Sequence, residues 1–520
     1  MQCSVLRSCG TYRHPTSLRR GPCAAVCWVL AFAAALPATA GEPPAVEEPY
    51  FGIRVIDGQT GRGVPLVELR TVNDIVLYTD SAGWVAFHEP GLMGREVHFA
   101  VSSPGYEHPA DGFGYRGARL VPTPGGTATV KLRRVNIAER LYRVTGQGIY
   151  LHSALMGLPT PEGVPQLNTG VMGQDSVQAV GYRDGLFWLW GDTGLPHYPL
   201  GNFRTTAATS PRPGPQTFRP ADGVPLRYFA HPEHPDRVRP MVPGDEPGMV
   251  WLFGLLTVGG PEGRETLLAH FTRRKSLAEQ LEHGLVRFDD EAGVFRRIAT
   301  FEPDNTWRFP RGNAVRVRHE GHDYFYFAKR FAPTRVRADW ASLLDPDRYE
   351  ALAYDARRRE YRWQRAARPT TQGDEREWID AGKLPPEKAR YQLADAATGE
   401  QVRIHRCSIR WNAFREKWIL IGNEEDFAHK VSYLGEMWYA EADDPSGPWR
   451  KAVKIATHPD YSFYNPSHHE FFDEEGGRFI YFEGTYTRMF SRSPVATPRY
   501  DYNQLMYRLD LADPRLEAAR

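Results

Sequence analysis

Four carboxylate residues stand beside predicted β-strands, where their side chains could enter a shared pocket. They are Asp175, Asp192, Glu470 and Glu483. Asp175 directly precedes the predicted strand 176–182, and Asp192 directly follows the aromatic strand 186–191. Acid–base catalysis uses one carboxyl group that gives a proton and a second that acts as base or nucleophile. These carboxylates are therefore candidates for such a pair, with turn capping as the alternative.

Two of these candidates lie in a later hairpin. Glu483 closes a predicted aromatic strand beside glycine and threonine, as Asp192 does, and Glu470 opens the strand before it with His468 and His469. Alternation along that strand sends His468 and Glu470 to one face and His469 to the other. The histidines could bind a sugar hydroxyl, polarise an acid or hold a single axial cation. Packing or a turn hydrogen bond is the alternative role.

Basic, amide and aromatic side chains near other strand starts are candidates for substrate binding. With the two histidines, the set is Arg204, Arg311, Asn313, Arg406 and Trp307. A guanidinium group can bind sugar hydroxyls or a substrate carboxylate, and an indole can stack on a sugar face. The sequence has no zinc-binding or EF-hand motif, P-loop, dinucleotide fingerprint or serine-nucleophile elbow, so no cofactor is predicted.

The candidate residues lie at the ends of a strand pair that recurs along the chain. Each copy has a strand, a turn rich in glycine or charge, and an aromatic strand. The copies span 176–191, 314–328, 408–422 and 468–484, with a weaker one from 249. Further alternating segments follow each copy. Five units of four strands predict an all-β fold in which 166–515 forms a five-bladed β-propeller with an inter-blade insertion at 366–404. A six-bladed propeller is the alternative.

Two short motifs within these repeats resemble known propeller enzymes. Residues 437–442, followed by Asp444-Pro-Ser-Gly-Pro-Trp449, resemble the outer-strand signature of five-bladed glycoside hydrolases of the arabinanase and β-xylosidase type. Gly191-Asp192-Thr193, with 202–207, resembles the signature of a bacterial propeller family that includes endo-D-arabinanases. The resemblance implies an axial pocket that binds a saccharide, with Asp175 at the place of a catalytic aspartate.

Residues 50–134 alternate apolar and polar residues in about seven short segments separated by turns, which predicts a β-sandwich. The turns Thr60-Gly-Arg-Gly-Val-Pro65 and Thr79-Asp-Ser-Ala-Gly83 resemble those of the carboxypeptidase regulatory-like, transthyretin-like domain that precedes secreted catalytic domains. The resemblance implies a packing or spacer module, and sugar binding is the alternative. Residues 135–165 are predicted to connect the two domains through a short amphipathic helix at 136–143 and a loop.

The first forty residues have the pattern of an export signal. Arginines without any acidic residue precede the apolar run 24–36, and Ala38-Thr-Ala40 fits a cleavage site. The run is shorter than the roughly 20 apolar residues of a membrane span, so no anchor is expected after cleavage. All cysteines except Cys407 lie in this segment, and Cys407 is predicted to be a buried apolar residue. We expect a secreted or periplasmic protein.

The balance of basic and acidic residues argues against a nucleic-acid partner. Lysine and arginine total 64 against 63 acidic residues, so no positive field indicates a nucleic-acid partner.

The predicted function is an exported glycoside hydrolase that binds a carbohydrate substrate in the axial pocket of the propeller. A non-catalytic secreted propeller that binds glycan or protein is the alternative. The sequence carries no signal for the oligomeric state.

Overall fold

The computed structural model describes residues 49–161, 169–196, 205–244, 247–261, 263–302, 306–308, 312–428 and 431–520. The predicted export signal lies outside these residues. The described chain is mostly β-structure. Within it, no helix is both long enough and apolar enough to cross a membrane.

Two four-stranded sheets share one apolar core in residues 51–134. Their strands are β1 (Phe51–Asp57), β2 (Glu68–Thr71), β3 (Val76–Tyr78), β4 (Trp84–Phe87), β5 (Val97–Ser102), β6 (Tyr106–Glu107), β7 (Gly117–Leu120) and β8 (Thr127–Arg134). The strand orders are β4-β1-β8-β6 and β3-β2-β5-β7, and Ile53 and Phe99 bring one side chain from each sheet into the core. The two predicted turns cross closely: a Cβ on Gly63 would lie 1.9 Å from the Ala82 carbonyl oxygen, so this crossing requires glycine.

The predicted helix at 136–143 is wrong. Residues Glu139–Arg143 form strand β9, which pairs antiparallel with the last strand of the chain, with Tyr142 opposite Met506. All residues of β9 are buried, whereas an amphipathic helix would expose one face. Pairing with an open sheet edge therefore overrides the local helical pattern. A short helix, α1 (Leu151–Leu155), follows β9 within the predicted connector.

Five further sheets of four or five strands, named A to E, follow in chain order. The strands up to residue 238 are β10 (Gly173–Gln174), β11 (Gln178–Tyr182), β12 (Gly185–Trp190), β13 (Thr193–Gly194), β14 (Thr206–Pro211), β15 (Arg227–Tyr228), β16 (Ala230–His231) and β17 (His234–Val238). Those up to residue 364 are β18 (Met249–Gly259), β19 (Glu265–Arg274), β20 (Gln280–Asp289), β21 (Val294–Phe301), β22 (Asn313–His319), β23 (His322–Ala328), β24 (Thr334–Arg337), β25 (Glu350–Asp355) and β26 (Glu360–Gln364). The others are β27 (Ala394–Asp395), β28 (Ile404–Asn412), β29 (Lys417–Glu424), β30 (Met437–Ala442), β31 (Lys451–Ala456), β32 (Ser462–His468), β33 (Phe479–Thr487) and β34 (Asn503–Asp510). The further helices are α2 (Trp340–Leu344) and α3 (Gln372–Asp380).

Sheet A is β11-β12-β14-β15, sheet B runs from β18 to β21, and sheet C runs from β22 to β26. Sheet D is β27-β31-β30-β29-β28, and sheet E is β32-β33-β34-β9. The first strands β11, β18, β22, β28 and β32 contact one another in succession. Apolar clusters fill the successive interfaces, and one of them joins Trp188 of sheet A to Tyr481 of sheet E. Sheet E therefore packs on sheet A as well as on sheet D.

The predicted strand pairs at 176–191, 314–328 and 408–422 are confirmed as the first two strands of sheets A, C and D. The weaker copy from 249 begins the regular sheet B. The predicted insertion at 366–404 contains α3 and β27, and β27 pairs with β31 at the outer edge of sheet D.

The prediction for the last pair is half wrong. The strand expected to open near His468 is β32, which ends at that residue, and a 3-10 helix at Glu470–Phe472 follows it. Pro466 explains the error, because proline usually marks a strand start or an irregular position. Here it lies inside β32, where the pairing register shifts between Tyr464 and Ser467.

Candidate active site

A cavity of about 500 Å³ opens where the first strands of sheets A to E begin. Each of these five sheets contributes to its lining. Its polar and aromatic lining includes Asp175, Ser176, Gln178, Asp192, Trp251, Asn313, His405, Arg406, Tyr464, Asn465 and Tyr502. The cavity therefore combines carboxyl groups, hydrogen-bond donors and aromatic rings, which is the usual composition of a small-molecule site.

Asp175 and Asp192 lie side by side in this cavity. Asp175 precedes β11 and Asp192 follows β12, and these antiparallel neighbours bring both residues to the same end of their hairpin. The Asp175 N–H donates to the Asp192 carbonyl oxygen at 3.0 Å, and the Asp192 N–H donates to Oδ1 of Asp175 at 2.7 Å. Both residues are partly exposed. A molecule in the cavity can therefore reach both carboxyl groups.

Each carboxyl group also accepts a hydrogen bond from an aromatic side chain. The Tyr464 hydroxyl donates to Oδ2 of Asp175 at 2.8 Å, and Nε1 of Trp251 donates to Oδ1 of Asp192 at 2.8 Å. Tyr464 belongs to sheet E and Trp251 to sheet B. The two sheets on either side of sheet A therefore each hold one member of the pair.

Burial and mutual repulsion keep a proton on this pair. Burial raises the pKa of Asp175 to about 7, and the charge of Asp192 adds to the rise. Burial also raises the pKa of Asp192, while the indole hydrogen bond of Trp251 opposes that rise. Two adjacent carboxyl groups resist simultaneous ionisation. Asp175 therefore keeps its proton up to about pH 7.

This raised pKa predicts that stability falls as the pH rises. The folded protein keeps the Asp175 proton up to about pH 7, whereas the unfolded chain releases it near the ordinary aspartate pKa of 3.8. The free energy of unfolding should therefore decrease between about pH 4 and about pH 7. We expect Asp175→Asn to raise the free energy of unfolding by about 1–3 kcal/mol at about pH 8 and to leave it unchanged at about pH 4.

Urea unfolding at the two pH values measures this effect, and Asp184→Asn, in the exposed turn of the β11–β12 hairpin, is the matched control. A gain of the same size at both pH values would contradict the assigned pKa.

The backbone beside the carboxyl pair adopts an uncommon conformation at two residues. Ser176 has φ of 58° and Asn465 has φ of 51°, both in the left-handed region. Nδ2 of Asn465 donates to the Ser176 hydroxyl at 2.6 Å, and the Ser176 N–H donates to the Thr485 hydroxyl at 3.1 Å. Such conformations persist where surrounding contacts enforce them, and they concentrate at functional sites. Sheets A and E thus fix the turn that carries Asp175.

Polar side chains from sheets C and D form another part of the wall. Asn313 and Arg406, both predicted as binding residues, line the cavity. His405 lies next to Arg406, and burial, with the charge of Arg406, lowers the pKa of His405 to about 3. The imidazole is therefore neutral near pH 7. This wall offers cationic and neutral groups but no second carboxyl pair among its lining residues.

The other predicted catalytic residues do not line the cavity. Glu483 lies in the middle of β33 and is completely buried, because the strand continues to Thr487 instead of ending at the glutamate. Its Oε2 lies 3.1 Å from Nε2 of His469. Glu470 is exposed and forms an ion pair of 2.6 Å with Arg410. Each of these two carboxylates thus contacts a side chain that does not line the cavity.

The remaining predicted binding residues are also placed elsewhere or are not described. Nε2 of His468 lies 2.9 Å from Oδ1 of Asp473, so the two histidines contact different carboxylates. Trp307 packs against the apolar cluster between sheets B and C. Arg204 and Arg311 lie outside the described residues. In the described part of the chain, no group of three His, Cys, Asp or Glu side chains is arranged to hold a metal ion.

Several cavity residues are not identified by the sequence reasoning. They are Trp251, His405, Tyr464, Asn465 and Tyr502. Tyr464 and Asn465 precede the predicted histidine pair, and the proline after them is a local signal of irregular backbone. Trp251 belongs to the weakest repeat, and aromatic residues in repeated strands are more often core. Cys407 is buried on β28 as predicted, although it also lines the cavity.

No protein-family model and no curated protein matches the chain. Solved structures resemble it at low sequence identity. A possible hydrolase from Bacteroides ovatus is 13% identical with a TM-score of 0.41, over 65% of this chain and 86% of that one. An α-L-arabinanase from Penicillium chrysogenum is 10% identical with a TM-score of 0.35, over 72% and 99%. An exo-1,5-α-L-arabinanase from a bovine ruminal metagenomic library is 11% identical with a TM-score of 0.34, over 66% and 94%.

Proposed function

We propose that this protein is an exported glycoside hydrolase that cleaves a polysaccharide or oligosaccharide in the cavity of sheets A to E. The observation that carries this proposal is the adjacent pair Asp175 and Asp192, partly buried and open to a cavity of about 500 Å³. A pair that holds one proton supplies an acid and an anion together. Those are the two groups that hydrolysis of a glycosidic bond needs.

The environments of the two residues suggest their roles. Asp175, with a pKa of about 7, gives its proton to the leaving glycosidic oxygen. Asp192, whose charge the indole N–H of Trp251 stabilises, acts as base toward water or as nucleophile. Arg406 and Asn313 bind hydroxyl groups of the sugar.

The proposal extends to the architecture and the location. We take sheets A to E as the blades of a five-bladed β-propeller, because each packs on the next and sheet E packs on sheet A. The two sheets in residues 51–134 are then the carboxypeptidase regulatory-like sandwich, acting as a spacer. We take residues 1–40 as the export signal, which is cleaved from the mature protein.

The test is hydrolysis by residues 41–520 of a panel of plant, algal and bacterial-wall polysaccharides, followed by detection of released reducing sugar. We expect release from at least one polysaccharide, and loss of release in Asp175→Asn and in Asp192→Asn. Glu470→Gln is the matched control, because its carboxylate is exposed and lies outside the cavity. Release that survives both aspartate substitutions would overturn the site, and binding without release would favour a glycan-binding propeller.

Tyr464→Phe should move the basic limb of the pH–rate profile upward. The lost hydroxyl donates to Asp175 and lowers the pKa of that carboxyl group. Without it, Asp175 should keep its proton to a pH about one unit higher, and kcat should fall by about tenfold from looser positioning. The profile of log kcat/KM against pH measures the shift.

Trp251→Phe provides the contrast. It removes the donor to Asp192, so the acidic limb should move upward while the basic limb stays in place. If both substitutions move the same limb, the assignment of proton donor and anion is wrong.

A further inference from the structure

The cavity is polar around the carboxyl pair and apolar toward its mouth. Its apolar lining includes Met249, Phe253, Leu277, Met489 and Phe490. Of these, Leu277 is 79% exposed and Phe490 is 49% exposed. Leucine and methionine side chains give a sugar neither a hydrogen bond nor a flat face. Exposed apolar groups at the rim of a cavity commonly mark a place where a ligand covers them.

The turn that presents Leu277 is held in position by a buried arginine. Arg274 donates from Nε to the carbonyl oxygen of Ser276 at 3.2 Å and from Nη2 to that of Leu277 at 2.5 Å. The Ser276 hydroxyl accepts from the N–H of Glu279 at 3.1 Å. These bonds order a turn whose apolar side chain has no packing role in the fold. The ordered turn keeps Leu277 at the mouth.

Phe490 connects the mouth to the carboxyl pair. It has φ of 60°, which is uncommon for a bulky residue and requires enforcement by its surroundings. Its ring meets the ring of Tyr464 edge to face, with 5.3 Å between centroids. The Tyr464 hydroxyl in turn donates to Asp175. The apolar surface therefore begins next to the residue that gives the proton and continues outward to the solvent.

We propose that the substrate is an oligosaccharide that carries an apolar aglycone, such as an alkyl chain, with its last sugar at the carboxyl pair and the chain against Phe490 and Leu277. This inference rests on the proposed hydrolase function. The leaving group must lie beside the proton donor Asp175, and the apolar surface starts there. Burial of the chain against these side chains supplies binding free energy that a sugar alone cannot gain at this surface.

The test compares methyl and octyl glycosides of D-glucose, D-galactose, D-xylose and D-arabinose, each below its micelle concentration, by calorimetric titration into the Asp175→Asn protein. For at least one sugar, we expect the octyl glycoside to bind about tenfold or more tightly than the methyl glycoside. Leu277→Ser and Phe490→Ser, each made in that background, should reduce this preference by about threefold or more. Phe414→Ser is the matched control, because Phe414 is similarly exposed in the β28–β29 turn and does not line the cavity.

Equal affinity for the methyl and octyl glycosides would overturn the inference, as would a preference that survives both substitutions. Octanol that binds as tightly as the octyl glycosides would also overturn it, because the sugar would then contribute nothing. Hydrolysis is scored separately with the wild-type protein. Release of sugar without any octyl preference would leave the hydrolase proposal standing and reject the apolar aglycone, whereas octyl preference without release would reject the hydrolase proposal and leave only a binding site for the aglycone.

Discussion

Asp175→Asn should lower kcat/KM on the natural saccharide by about 10³-fold near pH 6, because the variant has no proton for the leaving oxygen. Asparagine has nearly the shape of aspartic acid: its oxygen can still accept from the Asp192 N–H at the Oδ1 position, and its NH2 group at the Oδ2 position can donate to the Tyr464 hydroxyl oxygen. The loss should therefore be in kcat, with KM changed little. Steady-state rates of reducing-sugar release measure both constants.

The dependence on the leaving group separates the two aspartates. A 4-nitrophenyl glycoside of the same sugar leaves without help from an acid, so the loss in Asp175→Asn should shrink to about tenfold with that substrate. Asp192→Asn should lose activity to the same extent on both substrates, because the anion is needed whatever the leaving group. Equal losses on both substrates in Asp175→Asn would show that this residue is not the acid.

Glu375→Ala should reduce the free energy of unfolding by about 3–5 kcal/mol. Glu375 lies in α3, is fully buried, and accepts from the N–H groups of Arg390 and Tyr391 at 2.6 and 2.8 Å. It also accepts from Nε2 of Gln392 at 2.9 Å and from the Tyr361 hydroxyl. Alanine would leave these donors buried and unpaired, which costs more than the removal of a surface carboxylate.

Urea unfolding measures the loss, and Glu377→Ala is the matched control on an exposed face of the same helix. The control should change the free energy of unfolding by less than about 0.5 kcal/mol. Similar stability of the two variants would mean that the predicted insertion at 366–404 contributes little to the stability of the protein.

The sequence predicts the repeated hairpins well because period-two alternation and turn residues are local signals. The pairs at 176–191, 314–328 and 408–422 needed no information from distant residues, and the structure confirms them. The strand β9 could not be found this way. Residues 139–143 become a strand because the edge of β34, more than 360 residues later in the chain, is open to them.

The residues of the candidate site are also only partly predictable from local sequence patterns. Asp175 and Asp192 flank one hairpin, so antiparallel geometry alone predicts that they meet. The analogy with Asp192 points to Glu483, but the strand that carries Glu483 continues past it, and the side chain is buried beside His469. Tyr464 and Trp251 reach the pair from other sheets, and contacts of that kind leave no local pattern in the sequence.

Hydrolysis by the Asp175–Asp192 pair is tested most directly by the pH dependence of kcat/KM. It is measured for the wild type and for Asp175→Asn on one substrate, from about pH 4 to about pH 9. The wild type should lose activity with a basic limb at about pH 7, the pKa of Asp175. The residual activity of Asp175→Asn should lack that limb, because the titrating group is gone. A variant that keeps the same basic limb, or nearly full activity, would contradict the proposal that this carboxyl pair performs the hydrolysis.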